Sequence, residues 1–134
     1  MKSETRKKKE KTMKKSLILL ALFSFIIIHG SSECSLNNIN IGTVRSGREV
    51  EGKPEWKVTV INNCSCSQSQ IQLSCKGFQS SESVDPSVFA KQGDSCSLIN
   101  GHPLKGFSSV SFSYAWDPPF LLLPSSSIVG KDCS

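Results

Sequence analysis

Three cysteines lie close together in the middle of the chain and form its densest group of chemically reactive side chains. Cys64, Cys66 and Cys75 all fall between positions 61 and 75. In a reducing compartment such thiols bind metal ions or exchange disulfides, whereas in an oxidising compartment they form structural disulfides. The chemistry expected of these residues therefore depends on where the chain resides.

The first 32 residues have the organisation of a secretory signal peptide. Eight of the 16 Lys and Arg residues precede position 16, and the segment 17–28 is apolar and uncharged. This segment is shorter than the ~20 residues that a membrane-spanning helix needs, and it is followed by the small residues Gly30, Ser31 and Ser32, which are typical of a cleavage site. We expect residues 1–32 to be removed, so that the protein meets a membrane only through this segment. The alternatives are an uncleaved signal anchor and a translation start at Met13.

The remaining segment, residues 33–134, is expected to be a single cysteine-rich β domain that is secreted from the cell. The whole chain has a formal net charge of +5, but this segment has eight basic and nine acidic side chains, a net charge of −1. Proteins that bind nucleic acid present a basic stripe on the folded domain. No nucleic-acid partner is therefore expected.

All six cysteines of the chain belong to the predicted secreted domain. They are Cys34, Cys64, Cys66, Cys75, Cys96 and Cys133. An even number of cysteines in a small secreted domain predicts a set of disulfides. Cys64 and Cys66 would lie on the same face of an extended segment, in a geometry that a disulfide does not adopt. We exclude that pair and leave the remaining pairings open.

Neither catalysis nor metal binding is expected of these residues. The spacing of Cys64 and Cys66 is shorter than that of zinc-binding loops, so we expect no metal and no cofactor. His102 is the only imidazole after position 32, which leaves a serine or cysteine nucleophile few options for a base. Asn63 begins a glycosylation sequon, but its middle residue is an expected disulfide partner, and we therefore expect low occupancy.

Apolar residues alternate with polar ones in four segments of the domain. The members of each apolar row are Ile39 and Ile41; Trp56, Val58 and Val60; Ile71, Leu73 and Cys75; and Val110, Phe112, Tyr114 and Trp116. A period of two residues is typical of strands that bury one face, and Gly and Pro residues separate these segments. The sequence therefore predicts an all-β protein, a compact antiparallel β-sandwich stapled by disulfides.

Four local features carry finer predictions. Asn100 and Gly101 predict a hairpin turn because both residues tolerate positive φ, and Ser46 with Gly47 predicts a turn. Residues 120–123, after two prolines, are expected to begin an edge strand. Residues 84–90 are expected to contain one helical turn.

The aromatic residues Trp56, Tyr114 and Trp116 permit two interpretations. Their alternation with polar residues favours a place in the core, where large aromatic side chains dominate small domains. The alternative is a platform on which sugar rings stack, with Trp116 as its best candidate because a strand end follows it.

Several segments together resemble the plant tapetum determinant family of small secreted cysteine-rich proteins. The segments are GKPEWKVTVINNCSC, IQLSCKGFQS, VDP, CSLINGHPL and FSYAWD, followed by the terminal cysteine. The resemblance covers nearly all of residues 34–133 and every cysteine. The spacing of Cys64 and Cys66 resembles that of one branch of this family, the tapetum determinant-like proteins.

This resemblance implies a non-enzymatic ligand of the apoplast, perceived by a leucine-rich-repeat receptor kinase in cell-fate or reproductive development. The ectodomain of such a kinase is the implied partner. The loops at 80–86 and 100–105 are candidate contact surfaces, because a disulfide-stiffened domain presents them preformed. The alternative function is a carbohydrate-binding module for cell-wall glycans that uses Trp56, Tyr114 or Trp116.

Overall fold

The computed structural model of the chain describes residues 33–133, which form seven strands and two short 3₁₀ turns. The strands are β1 (Ile39–Val50), β2 (Lys53–Asn62), β3 (Gln68–Ser74), β4 (Phe89–Gln92), β5 (Ser95–Leu98), β6 (Ser109–Ala115) and β7 (Leu123–Val129), and the turns are Leu36–Asn38 and Ile99–Gly101. No helix in this part of the chain is long and apolar enough to cross a membrane. The predicted signal peptide lies outside the described residues.

The strands form two antiparallel sheets, as the predicted β-sandwich requires. One sheet has the order β1-β2-β6 and the other has the order β4-β5-β3-β7. The hairpin between β1 and β2 turns at Glu51 and Gly52, which both have positive φ, at 52° and 77°. This backbone matches the right-handed twist of the two strands. The all-β fold class predicted from the sequence is confirmed.

The core lies between the two sheets and contains the alternating apolar residues of the strands. Val58 and Val60 of β2 are fully buried, and so are Ile71 and Leu73 of β3. The ring of Phe112 on β6 stacks on that of Phe89 on β4, with 4.2 Å between their centroids. The period of two in the sequence therefore identified the buried faces correctly.

The predicted hairpin at Asn100 and Gly101 is wrong. Both residues have positive φ, as their types suggest, but they belong to a 3₁₀ turn after β5. The chain then runs beside the start of β3 in the same sheet, where Leu104 exchanges two backbone hydrogen bonds with Gln68, at 2.8 and 3.0 Å. This long-range pairing takes the segment away from β5.

The helical turn predicted within residues 84–90 is present as a single turn that does not continue into a helix. The carbonyl oxygen of Asp85 accepts hydrogen bonds from the backbone of Val88 and Phe89, and its carboxylate accepts two from Ser87. These bonds close a turn, after which Phe89 begins β4 opposite Leu98.

Two strand boundaries differ from the predictions. β7 lies at a sheet edge but begins at Leu123 rather than at 120, because the backbone N–H of Phe120 donates to the hydroxyl of Tyr114. Ser46 and Gly47 do not end β1. They lie in the irregularity between Arg45 and Glu49, where β1 has extra residues opposite β2, as in a β-bulge.

Candidate functional site

The six cysteines form three disulfides, two of which fasten the ends of the domain to its middle. The pairs are Cys34 with Cys64, Cys66 with Cys133, and Cys75 with Cys96. The first two bridges meet at the turn between β2 and β3, and the third joins the end of β3 to β5. Among residues 33–133 there is no free cysteine, so these residues present no thiol for nucleophilic attack.

Two buried amides support the turn between β2 and β3. The side chain of Asn62 donates to the carbonyl oxygens of Cys66 at 2.8 Å and Leu104 at 3.0 Å. Gln68 donates to the carbonyl oxygen of Ser35 at 3.0 Å. Irregular backbone that is buried needs such donors. The sequence analysis missed both residues, since a polar residue in a strand is normally expected to face solvent.

The C-terminal end is fastened to the same turn by hydrogen bonds. Asp132 accepts from the backbone N–H of Ser67 at 3.0 Å and from its hydroxyl at 2.8 Å. These two bonds favour the charged carboxylate and lower the pKa of Asp132. The disulfide of Cys133 is therefore accompanied by a polar attachment one residue earlier.

The only imidazole of the described segment contacts its own turn. The Nδ1 atom of His102 lies 2.9 Å from the carbonyl oxygen of Ile99. Within residues 33–133 no three His, Cys, Asp or Glu side chains are grouped closely enough to hold a metal ion. The lack of enzymatic activity stays a prediction.

The three candidate platform residues have different environments. Tyr114 is fully buried, whereas Trp56 and Trp116 are half-buried. The guanidinium carbon of Arg45 lies 5.6 Å from the ring centroid of Trp56, and the amine of Lys53 lies 4.8 Å from that of Trp116. Each indole therefore has a cation over one face, in a favourable cation–π arrangement.

A groove of about 520 Å³ opens beside Trp56, between the inward face of β1 and the segment that leads into β7. Its volume is in the range of about 300 to 1,000 Å³ that is common for binding clefts. Ile39, Ile41 and Thr43 line one wall, and residues 119–124 line the other. Leu121 on this second wall is 79% exposed.

Two acidic side chains meet at the irregular part of β1. Glu55 is 6% exposed and its Oε1 atom accepts a 2.6 Å hydrogen bond from Ser46, which lowers the pKa of Glu55. One carboxyl oxygen of Glu82 is buried without a partner among the described residues. Burial, followed by the contact with Glu55, raises the pKa of Glu82. The pair is stable when Glu82 keeps its proton and Glu55 is charged.

The two predicted contact loops are only partly free. At the first loop, Ser81 donates a 2.8 Å backbone hydrogen bond to Ala115 at the end of β6. In the second, Gly101 and Leu104 are buried. Asn63 is exposed beside the disulfide of Cys64. The low glycan occupancy expected at this sequon stays a prediction.

Comparison with known proteins identifies relatives over most of the described domain. Residues 35–130 match the protein family described as Tapetum determinant 1, C-terminal. TPD1 protein homolog 1 of Arabidopsis thaliana is 33% identical over 62% of this chain and 48% of its own length. TPD1 protein homolog 1A of Oryza sativa subsp. japonica is 36% identical over 53% of this chain and 35% of its own length.

A third relative matches along most of its length. It is an uncharacterised Arabidopsis thaliana protein, 32% identical over 81% of this chain and 84% of its own length. The chain spans less than half the length of the two named relatives above. No solved structure matches the chain.

Proposed function

Because the chain belongs to the tapetum determinant 1 family, we propose that it is a secreted, non-enzymatic protein ligand. Its partner is the ectodomain of a leucine-rich-repeat receptor kinase that acts in plant cell-fate or reproductive development. The protein reaches the apoplast through the signal peptide of residues 1–32. It binds no nucleic acid, in keeping with the net charge of −1 after that segment.

The groove beside Trp56 is the observation that carries this proposal. It has an exposed apolar wall, with Leu121 79% exposed, on a domain whose two ends are fixed by disulfides. Exposed apolar surface of this kind marks interaction sites in soluble proteins. A cross-linked domain also loses little conformational entropy on binding, and solenoid receptors offer a long concave surface to receive it.

The experiment is a titration of the full chain, produced through a secretory host, against plant leucine-rich-repeat receptor-kinase ectodomains. A panel of cell-wall glycans is titrated in parallel, and the reduced and alkylated chain serves as the control. We expect saturable binding to at least one ectodomain by the oxidised chain only. Saturable glycan binding that is lost in Trp116→Ala, with no ectodomain bound, would show that the protein is a carbohydrate-binding module instead.

A further inference from the structure

The groove has two walls that are uncharged along their whole length. The first charged residue of β1 is Arg45, after six residues without charge, and residues 118–130 also have none. Natural edge strands commonly carry charges that prevent pairing with other chains. Both strands at this opening, β1 and β7, are edge strands of their sheets, and such charges are missing from the first half of β1 and from all of β7.

One end of the groove is cationic. Ile41, Thr43 and Arg45 follow one another on the same face of β1, and Arg45 pairs in register with Trp56. The guanidinium of Arg45 lies over this indole, which also lines the groove. Within residues 33–133 the structure gives Arg45 no carboxylate partner.

A second cation lies over an indole whose residue is hydrogen-bonded to Trp56. The indole N–H of Trp56 donates to the carbonyl oxygen of Trp116 at 2.9 Å, and Lys53 lies over the ring of Trp116. Each of the two hydrogen-bonded indoles therefore has a cation over its ring, and Trp56 is the indole that lines the groove. A partner that fills this groove meets apolar side chains first and positive charge at one end.

We propose that the groove binds an extended segment of a protein partner, which pairs with the free edge of β1, inserts apolar side chains beside Ile41 and places a carboxylate against Arg45. Addition of a strand to a sheet edge is an established mode of peptide recognition. Complementary charge at one end fixes the direction and register of the added strand. This inference rests on the proposed receptor-ligand function for the identity of the partner as a protein.

The test uses two synthetic peptides, because no receptor is needed to probe the surface. The first has the sequence Asp-Thr-Val-Thr-Val-Thr, in which the acid and both valines share one face, and the second begins with Lys instead of Asp. Each is titrated into the ¹⁵N-labelled, oxidised full chain. We expect the acidic peptide to shift the amide resonances of residues 40–45 and 120–123, and the basic peptide to bind at least about tenfold more weakly.

Matched variants distinguish binding in the groove from non-specific binding of the peptides elsewhere on the protein. We expect Arg45→Glu to invert the preference, so that the basic peptide binds more tightly than the acidic one. Lys91→Glu reverses an exposed charge on β4, at the far edge of the other sheet, and is expected to leave the preference unchanged. Because the first variant gains binding to one peptide, misfolding does not explain the expected result.

Three outcomes would overturn the proposal: shifts that map to another face, equal binding of both peptides, or no binding of either at millimolar concentration. Shifts of the same groove amides by wall oligosaccharides alone would also overturn it. The peptide titration does not involve a receptor. If no ectodomain of the panel binds the chain, the proposed function is contradicted. If the peptides cause no chemical-shift change, the groove is contradicted as the docking surface.

Discussion

The hydroxyl of Tyr114 accepts a 2.8 Å hydrogen bond from the backbone N–H of Phe120. Tyr114 belongs to β6, in the centre of the core, and is fully buried. Phe120 belongs to the second wall of the groove. This bond attaches the wall to the opposite sheet, so the shape of the groove depends on a side chain that no partner can touch.

Tyr114→Phe removes the hydroxyl and keeps the ring, and should loosen this wall. The N–H of Phe120 loses its acceptor in a half-buried position, which costs about 1 to 3 kcal/mol. We expect a lower free energy of unfolding in urea and faster hydrogen exchange at the Phe120 amide. Ser109→Ala, an exposed change on the same strand, is the control. Unchanged exchange at Phe120 would show that the bond does not hold the wall.

Gly106→Ala should destabilise the domain strongly. A Cβ atom at position 106 would clash with the carbonyl oxygen of Ser65 and would lie 2.8 Å from that of Cys64. Backbone beside a disulfide cannot move away easily, and overpacking of this kind costs about 1 to 3 kcal/mol. Gly42→Ala is the matched control, because nothing lies within 4 Å of a Cβ there. Similar unfolding midpoints for the two variants would contradict the close approach.

The stability of the domain should depend on pH through Glu55 and Glu82. The folded-state pKa of Glu82 is raised by burial. The contribution of Glu82 to the free energy of unfolding is therefore present at low pH and is lost as the pH rises through that pKa. The folded-state pKa of Glu55 is lowered by the Ser46 hydrogen bond, so its contribution is lost as the pH falls through that value. We expect maximal stability between the two folded-state values.

Glu82→Gln tests this dependence, because an amide keeps the shape of the protonated carboxyl group and a donor beside Glu55 but does not titrate. We expect the variant to lose the decline in unfolding free energy on the high-pH side and to keep the decline on the low-pH side. The measurement is urea unfolding from pH 3 to 8. Glu51→Gln, at the exposed hairpin turn, should leave the profile unchanged. A variant that retains the high-pH decline would rule out Glu82 as its source.

Removal of the Cys66–Cys133 bridge should cost more stability than any single hydrogen bond at the turn. The two residues are 67 positions apart, and the chain-entropy relation gives about 4 kcal/mol for a loop of this size. The double variant Cys66→Ala with Cys133→Ala should show this loss in urea unfolding. Non-reducing peptide mapping of the secreted chain should first yield the three pairs of the structure. A Cys64–Cys66 peptide would contradict the arrangement.

The sequence predicted those features that depend on local pattern. Alternation identified Val58, Val60 and Tyr114 as core residues because the face of a strand residue depends only on its parity. Asn100 and Gly101 show what a local pattern does not predict. Their backbone conformation was predictable from residue type, but the pairing of Leu104 with Gln68 decides where the chain goes, and no local pattern encodes that pairing.

The candidate site was less predictable for the same reason. Trp56 and Trp116 were predictable as candidate site residues because they are large aromatic side chains. Arg45 was not, because the sequence around an isolated basic residue in a strand does not indicate which side chain it will contact. The groove brings residues 39–43 together with residues 119–124, and its existence depends on how the two sheets are placed. The close approach of Gly106 to Ser65 likewise joins distant parts of the chain.

The affinity of an ectodomain for Leu121→Ser, compared with Phe107→Ser, tests most directly whether the protein is a receptor ligand that docks through this groove. Both residues are exposed, at 79% and 70%, but only Leu121 lines the groove. We expect the native chain and Phe107→Ser to bind one receptor-kinase ectodomain equally, and Leu121→Ser to bind at least about tenfold more weakly. Equal affinities for the three proteins, or no binding by the native chain, would contradict the claim that the protein is a receptor ligand that docks through the groove.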